Sequence, residues 1–298
     1  MTDTPQPLDP DRVEEWWSRY HRLVWDVAYR IGGSVSDAED VAQDTYLRLV
    51  EHRGDVTNPK GWLTTVAAHA ALDRLRAHEH RRRAYVGPWL PEPLVVADDA
   101  LPVEDRITLD DSVRMALLVV LERLTPAERT AFLLHDVFRL EFTTIAEVLG
   151  TSNQAARQLA SRGRQRIGAD GPARFVPDPV AARTLCERFA QACAEGDLDG
   201  LVAVLAPDVA GDFDSGGLIA GAPVGEVRGS TAIAMQLLRS LSGRGLEFGV
   251  ASVNVDPGVV IRHADRVVTV IAFTFGPDGI RVLHGIGNPD KLRHLNCR

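Results

Sequence analysis

The run FTTIAEVLGTSNQAARQLASRGRQRI, residues 142–167, constrains this chain more than any other stretch. Gly150, able to take a positive φ, closes a short helix in which Ile145, Val148 and Leu149 point inward. A second helix follows at once, opened by a capping box from Thr151 to Gln154. Along it Ala156, Leu159, Ala160, Gly163 and Ile167 recur at three- and four-residue spacing, a small-residue face that lets the helix press closely on its neighbour. The opposite face carries Asn153, Gln154, Arg157, Gln158, Ser161, Arg162 and Arg164. Two helices joined at a glycine in this way make a helix-turn-helix, whose second helix suits a DNA major groove. A plain bundle corner shares the geometry, and the residue types separate the two readings. Asn, Gln and Arg match the donors and acceptors of base edges, whereas solvation alone is better served by glutamate and lysine.

A net charge of -8 over 298 residues argues at first against a nucleic-acid partner. Its distribution reverses the argument. From Asn58 to Val86 the chain has Lys60, Arg74, Arg76, Arg81, Arg82 and Arg83 against Asp73 and Glu79. The stretch from Phe142 to Gly168 has Arg157, Arg162, Arg164 and Arg166 against Glu147. From Gly87 to Thr108, Glu92, Asp98, Asp99, Glu104 and Asp105 stand against Arg106, so an acidic strap joins two phosphate-gripping regions.

The first segment, to about Val86, reads as helices. SDAE at 36–39 forms a capping box on Ser36 that opens an apolar pattern at Val41, Tyr46, Leu47 and Val50. Asn58 followed by Pro59 starts another helix carrying Leu63, Val66, Ala70 and Leu72. The arginines near its end would, taken alone, be a solvated face favoured by the helix dipole. A second helical segment runs from about Leu109 and includes TPAE at 125–128, a threonine cap, a proline and a glutamate in sequence.

From Asp170 onward the character changes. Proline punctuation in DGPARFVPDP precedes one helix, VAARTLCERFAQACAEG, followed by DLDGLVAVLAPDV and then by β-type runs, LEFGVASVNV, GVVIRH, RVVTVIAFTF and GIRVLHGI. A helical pair leading into a curved antiparallel sheet predicts an α+β cone with an internal pocket. Cys186 and Cys193 stand seven apart on a helix, about 10 Å along its axis and too far for a disulfide, so they are expected as buried thiols. The opening MTDTPQPLDPDR has no basic segment followed by an apolar run and no stretch reaches membrane-span length, so the chain is expected in the cytoplasm without a membrane partner.

This order of parts resembles the extracytoplasmic-function sigma factors of bacteria, in the SigJ-like branch with a fused SnoaL-like C-terminal domain. SDAEDVAQDTYLRLVEH resembles their polymerase-binding helix, NPKGWLTTVAAHAALDRLRAHEHRR the reader of the downstream promoter element, and FTTIAEVLGTSNQAARQLASRGRQRI the reader of the upstream one. GPWLPEPL at 87–94 and NPDKL at 288–292 are similar to two short signatures of the branch. Where the branch tends to have DGGGK, this chain has DSGGL at 214–218, so a contact needing that lysine is not carried over.

The resemblance implies a sigma region 2-like domain over 1–86, a linker over 87–108, a region 4-like domain over 109–170 and a SnoaL-like cone over 171–298. It implies core RNA polymerase and promoter DNA as partners, no cofactor and no metal. Asp40, Gln43, Asp44 and Leu47 would face polymerase. Arg53, Asn58, Lys60, Trp62, Arg74, Arg76 and Arg81 would hold the downstream element, through an unstacked base and phosphates. Upstream, Arg157, Gln158 and Ser161 would meet base edges, with Arg162 and Arg164 on phosphate.

Trp89, Leu90, Pro91, Glu92 and Pro93 give the linker an apolar docking strip that a free linker would not need. The C-terminal domain is expected to grip it through Asp214, Gly216 and Gly217 and through Asn288, Pro289, Asp290, Lys291 and Leu292. Trp89 as a cap on the first helical domain is the alternative. Two rival functions remain open: a DNA-binding regulator that never meets polymerase, and a fused isomerase or cyclase using Asp212, Asp214, His263 or His284 in an apolar pocket. That pocket also leaves room for a small sensed ligand.

Overall fold

The structure, a computed structural model, describes residues 6–96, 113–170, 178–219, 222–223, 225–241 and 244–297. Most of the acidic strap and of the proline-punctuated DGPARFVPDP falls outside the described residues. The chain divides into two compact units, Met1–Arg81 with Leu121–Asp170, and Arg82–Val120 with Gly171–Arg298.

The first unit is helical. α1 (Pro10–Gly32) starts at Asp9, whose carboxylate accepts from the Asp11 N–H, and stops at Gly33 with φ 70°. α2 (Val35–Glu51) is capped by Ser34, whose hydroxyl accepts from the Asp37 N–H at 3.2 Å. The capping box expected on Ser36 is therefore displaced by two residues, because Gly33 ends α1 so tightly that the next hydroxyl already reaches the first turn of α2. α3 (Pro59–Arg83) begins as the Asn-Pro pair predicts, the Asn58 side chain accepting from the Gly61 N–H.

After the short α4 (Met115–Leu121), α5 (Pro126–Phe132) carries both halves of the Thr125–Glu128 capping box and passes into a π-helical turn, Leu133–Val137. α6 (Phe142–Leu149) ends at Gly150 with φ 62°, and α7 (Asn153–Asp170) follows. The cap of α7 is Ser152, accepting from the Ala155 N–H, and not Thr151. Ala156 and Ala160 are fully buried. A Cβ on Gly163 would stand 3.1 Å from the Phe132 Cβ and 3.2 Å from the Glu128 carbonyl, so the bare glycine lets α7 lie against α5.

In the second unit, α8 (Pro179–Glu195) and α9 (Leu198–Val204) lead into β2 (Leu205–Asp214). Then come β3 (Val227–Arg228), α10 (Ser230–Leu241), β4 (Glu247–Val253), β5 (Asp256–His263), β6 (Arg266–Gly276), β7 (Gly279–Ile286) and a closing 3-10 turn, Pro289–Leu295. β1 (Val95–Val96) comes from the end of the strip.

The expected SnoaL-like cone with a curved antiparallel sheet does not form. The seven strands make one mixed sheet in the order β1-β4-β5-β6-β7-β2-β3, neither closed nor strongly curled, with β2 parallel to β7. Apolar alternation tells which residues share a face but not the direction of the partner strand, and β1 and β3, two residues each, have no alternation to read.

Both faces of the sheet are covered, which is why RVVTVIAFTF is almost continuously apolar. Val259, Ile261, Ile271 and Phe273 join Cys186, Phe189, Leu201 and Ile233 under the helices. Val260, Val270, Ala272 and Ile286 join Leu90, Met115, Val119 and Leu292 on the other side. Cys186 and Cys193 are free buried thiols pushed up to about 12 by burial, while Cys297 is exposed. Among the described residues no helix is long and apolar enough to cross a membrane.

Candidate functional site

α7 presents the side chains singled out for DNA. Gln154, Arg157, Gln158, Ser161, Arg162 and Arg164 are exposed along it, and Asn153 is half-buried at its start. Asn153 accepts from Arg157 Nε at 3.0 Å, and the Arg157 guanidinium lies 5.2 Å from the Phe142 ring, so this side chain is aimed by two neighbours. Arg162 and Arg164 sit 3.6 Å from Glu128 and 3.5 Å from Asp136, and Arg166 donates to Glu128 at 2.6 Å. These arginines serve as internal ion pairs of the helical unit, a role that spacing along α7 could not reveal.

On α2, Asp40, Gln43, Asp44 and Leu47 are all exposed on one face, Leu47 by 50%. Arg74 of α3 donates to Asp40 at 2.9 Å and to Asp44 at 3.0 Å. Burial lowers the Arg74 pKa, but the bonds to Asp44 and Asp40 outweigh it and the net direction is up. One residue assigned to DNA thus bridges two assigned to polymerase. Arg53, Asn58 and Lys60 are exposed around the start of α3, and Trp62 is half-buried, edge-on to His52 at 4.9 Å. Arg76 stands 3.7 Å from Asp73, and Arg81 is exposed.

The strip is tied into the second unit by a buried cluster of bonds around Asp214. The Asp214 carboxylate, 1% exposed, accepts from the Leu90 N–H at 2.8 Å, from the Lys291 ammonium at 2.6 Å and from the Tyr85 hydroxyl. Lys291 also donates to the Leu90 carbonyl and rests 3.6 Å from the centre of the Trp89 ring. Each buried charge is therefore both paired and hydrogen-bonded, the condition under which such a pair is tolerated. The Tyr85 phenol is pushed well up by burial and by its bond to Asp214, and it accepts from Asn288 Nδ2 at 2.6 Å.

Gly216 and Gly217 turn with φ 62° and 73°. A Cβ on Gly216 would stand 2.8 Å from Asn288 Nδ2, so glycine serves both the turn and the close approach. Further along the strip, Pro91 and Pro93 are buried, the Pro93 carbonyl is 2.9 Å from His294 Nε2, and β1 pairs with β4. Glu92 is half-buried, 4.0 Å from His294. Trp89 packs edge-to-face on Tyr85 at 4.7 Å, with the Arg82 guanidinium 4.9 Å from its ring.

Of NPDKL, Asn288, Lys291 and Leu292 are buried, whereas Pro289 and Asp290 are exposed. Leu218, at the position where the resembled branch tends to have lysine, is 65% exposed. The ammonium that meets Asp214 is that of Lys291.

Tyr85, Asn254 and Arg114 are participants that the sequence reading missed. Asn254, at φ 61°, exchanges bonds with the Leu94 backbone and donates to the Val113 carbonyl at 2.7 Å, and Arg114 pairs with Asp256. Asn254 stands between two valines at the end of the run LEFGVASVNV, and its only signal was a residue tolerant of positive φ there. The four residues of the enzyme reading are split. Asp214 is consumed by the strip, Asp212 and His284 are cross-strand neighbours 3.8 Å apart, and His263 is exposed at the end of β5.

Comparison with known proteins places these features in a lineage. The family model of sigma-70 region 2 matches residues 16–81, and that of sigma-70 region 4 matches residues 114–167. The ECF RNA polymerase sigma factor SigJ of Mycobacterium tuberculosis is 41% identical over 279 residues, covering 89% of this chain and 88% of that protein. The probable ECF RNA polymerase sigma factor SigI of the same species is 37% identical over 291 residues, 96% of this chain and 97% of that protein. The crystal structure of Mycobacterium tuberculosis SigJ superposes with a TM-score of 0.72 at 36% identity, over 94% of this chain and 98% of that one.

Proposed function

The chain belongs to the extracytoplasmic-function sigma factors of RNA polymerase, non-catalytic regulators that direct transcription initiation, and on that premise we propose that its second unit modulates initiation by holding the linker strip. The observation that carries this reading is the Asp214 carboxylate, which collects the Leu90 amide, the Tyr85 hydroxyl and the Lys291 ammonium at one buried point. A strip tied in this way cannot pay out length, so the separation available between the segments before and after it is set by the second unit. The segments 1–86, 87–108, 109–170 and 171–298 then carry downstream recognition with polymerase binding, the strip, upstream recognition and regulation.

The test is transcription in vitro from a cognate promoter with core polymerase. The full chain is compared with Asp214→Asn and with a chain ending at residue 171. Output that differs severalfold between the full chain and both variants supports the reading. Equal output from all three removes the regulatory role and leaves the sigma-factor assignment intact.

For DNA we assign Arg157, Gln158 and Ser161 to base edges, with Asn153 and Gln154 at the helix start. Arg162 and Arg164 would reach phosphate only by leaving Glu128 and Asp136. Likewise Arg74, between Asp40 and Asp44, acts by holding α2 and α3 in register. Phosphate contact is left to Arg53, Lys60, Arg76 and Arg81, with Asn58 and Trp62 placed for the unstacked base. Arg157→Ala is expected to cost about 1–3 kcal/mol at one base pair of the upstream element and to relax preference there. Binding measured against a set of single-base promoter variants checks it, since weakening that is uniform over all sequences would mark a phosphate contact instead.

A further inference from the structure

The second unit contains a cavity of about 670 Å³, within the range of roughly 300–1,000 Å³ usual for small-molecule sites. Its inner wall is apolar, built by Phe213, Ile219, Leu237, Leu241, Leu246 and Ile271. Its rim is cationic. Arg244, Arg266 and Arg293 line it together with two carboxylates, those of Asp214 and Asp290. Both carboxylates are already neutralised, Asp214 by Lys291 at 2.6 Å and Asp290 by Arg293 at 2.6 Å. Arg244 and Arg266 are exposed and have no acidic partner among the described residues. Two uncompensated guanidinium groups at the mouth of an apolar chamber favour an occupant with the complementary division, an anionic head on an apolar body.

We propose that this cavity is a binding site for a small amphiphilic anion, with the head at Arg244 and Arg266 and the body against Phe213, Leu237 and Ile271. The site stands independently of the strip's role in transcription. A guanidinium fork fits a carboxylate and a phosphate ester equally well, so the head is identified by its charge and planar acceptor pair. Two of the chamber's hydroxyl protons are already used, Thr269 donating to the Val268 carbonyl and Ser240 to that of Gln236.

The experiment is calorimetric titration of the full chain with dodecanoate and with dodecyl phosphate, both below micelle formation, against dodecanol as the uncharged match. The expected result is saturable one-site binding of at least one anion. It should weaken about tenfold or more in the double variant Arg244→Ala with Arg266→Ala, and should be lost in Ser240→Trp, which fills the chamber. Melting curves establish that both variants remain folded. The proposal is overturned if neither anion binds, if dodecanol binds within threefold of the better anion, or if folded variants of either kind bind as the parent does. The two anions tell a carboxylate source from a phosphate source.

Discussion

Asp214→Ala is expected to lower the stability of the second unit by about 3–5 kcal/mol, the range found when one partner of a buried ion pair is removed. The loss has three parts. Lys291, 3% exposed, loses the carboxylate its ammonium donates to. The Leu90 amide and the Tyr85 hydroxyl lose their acceptor. Removing the partner also frees the strip, so Leu90 and β1 lose order together. Lys291→Met should cost less, because the thioether can keep the apolar contact on Trp89 and Asp214 retains two donors. Asp214→Leu combined with Lys291→Met should recover part of the loss, since the net worth of a buried pair over an apolar one is small. Hydrogen exchange over residues 88–96 in the full chain is the measurement. Protection of the Leu90 amide unchanged in Asp214→Ala would show that the carboxylate does not hold the strip.

Arg129→Met is expected to cost the helical unit a similar amount, about 3–5 kcal/mol. Arg129 is 1% exposed, its guanidinium donating to Glu122 at 2.6 Å and twice to the Arg30 carbonyl, at 3.2 and 3.0 Å. Arg30 lies in the last turn of α1, where carbonyls lack partners along the helix and the dipole favours a cation. Arg129 therefore caps α1 from α5 and fastens residues 1–81 to residues 121–170. Methionine fills much of the volume but removes the bond to Glu122, 9% exposed at its side chain, and both bonds to the Arg30 carbonyl. Arg129→Lys keeps the charge without the fork and should fall between. Urea unfolding followed by far-ultraviolet circular dichroism reads the effect, and a midpoint within error of the parent for Arg129→Met would refute it.

How much of this was legible depended on whether the determinant was local. The helix-turn-helix could be read because Gly150, Ala156, Ala160 and Gly163 act within one turn or on the adjacent helix. The cap positions were misread at Ser36 and Thr151 because a hydroxyl one or two residues away competes equally well, and only the exit angle of the preceding helix selects between them. The carboxylates that meet Arg74, Arg162 and Arg164 could not be foreseen, because they lie on other elements. Arg129 passed unnoticed for the same reason, as a single arginine in a capped helix.

The strip illustrates both sides. Its composition announced that it would be buried, and GPWLPEPL, DSGG and NPDKL were each conspicuous as short polar or proline-rich punctuation. What tied them together could not be read along the chain: Tyr85 and Asp214 are 129 positions apart, and Lys291 and Leu90 are 201 apart. The sheet failed as an expectation in the same way, since a strand's apolar pattern says nothing of whether its neighbour runs parallel.

By itself, then, the chain's order of residues determined where the longer helices and the strands β4 to β7 form, which of their faces turn inward and which helix offers amide and guanidinium groups outward, because periodicity and capping are properties of neighbours. Tertiary structure alone decided the open mixed sheet, the partners of Asp214 and Arg129 and the cationic mouth of the cavity. A buried polar group takes whatever complement the fold brings within 3 Å, and nothing in its own neighbourhood of sequence specifies which one that is.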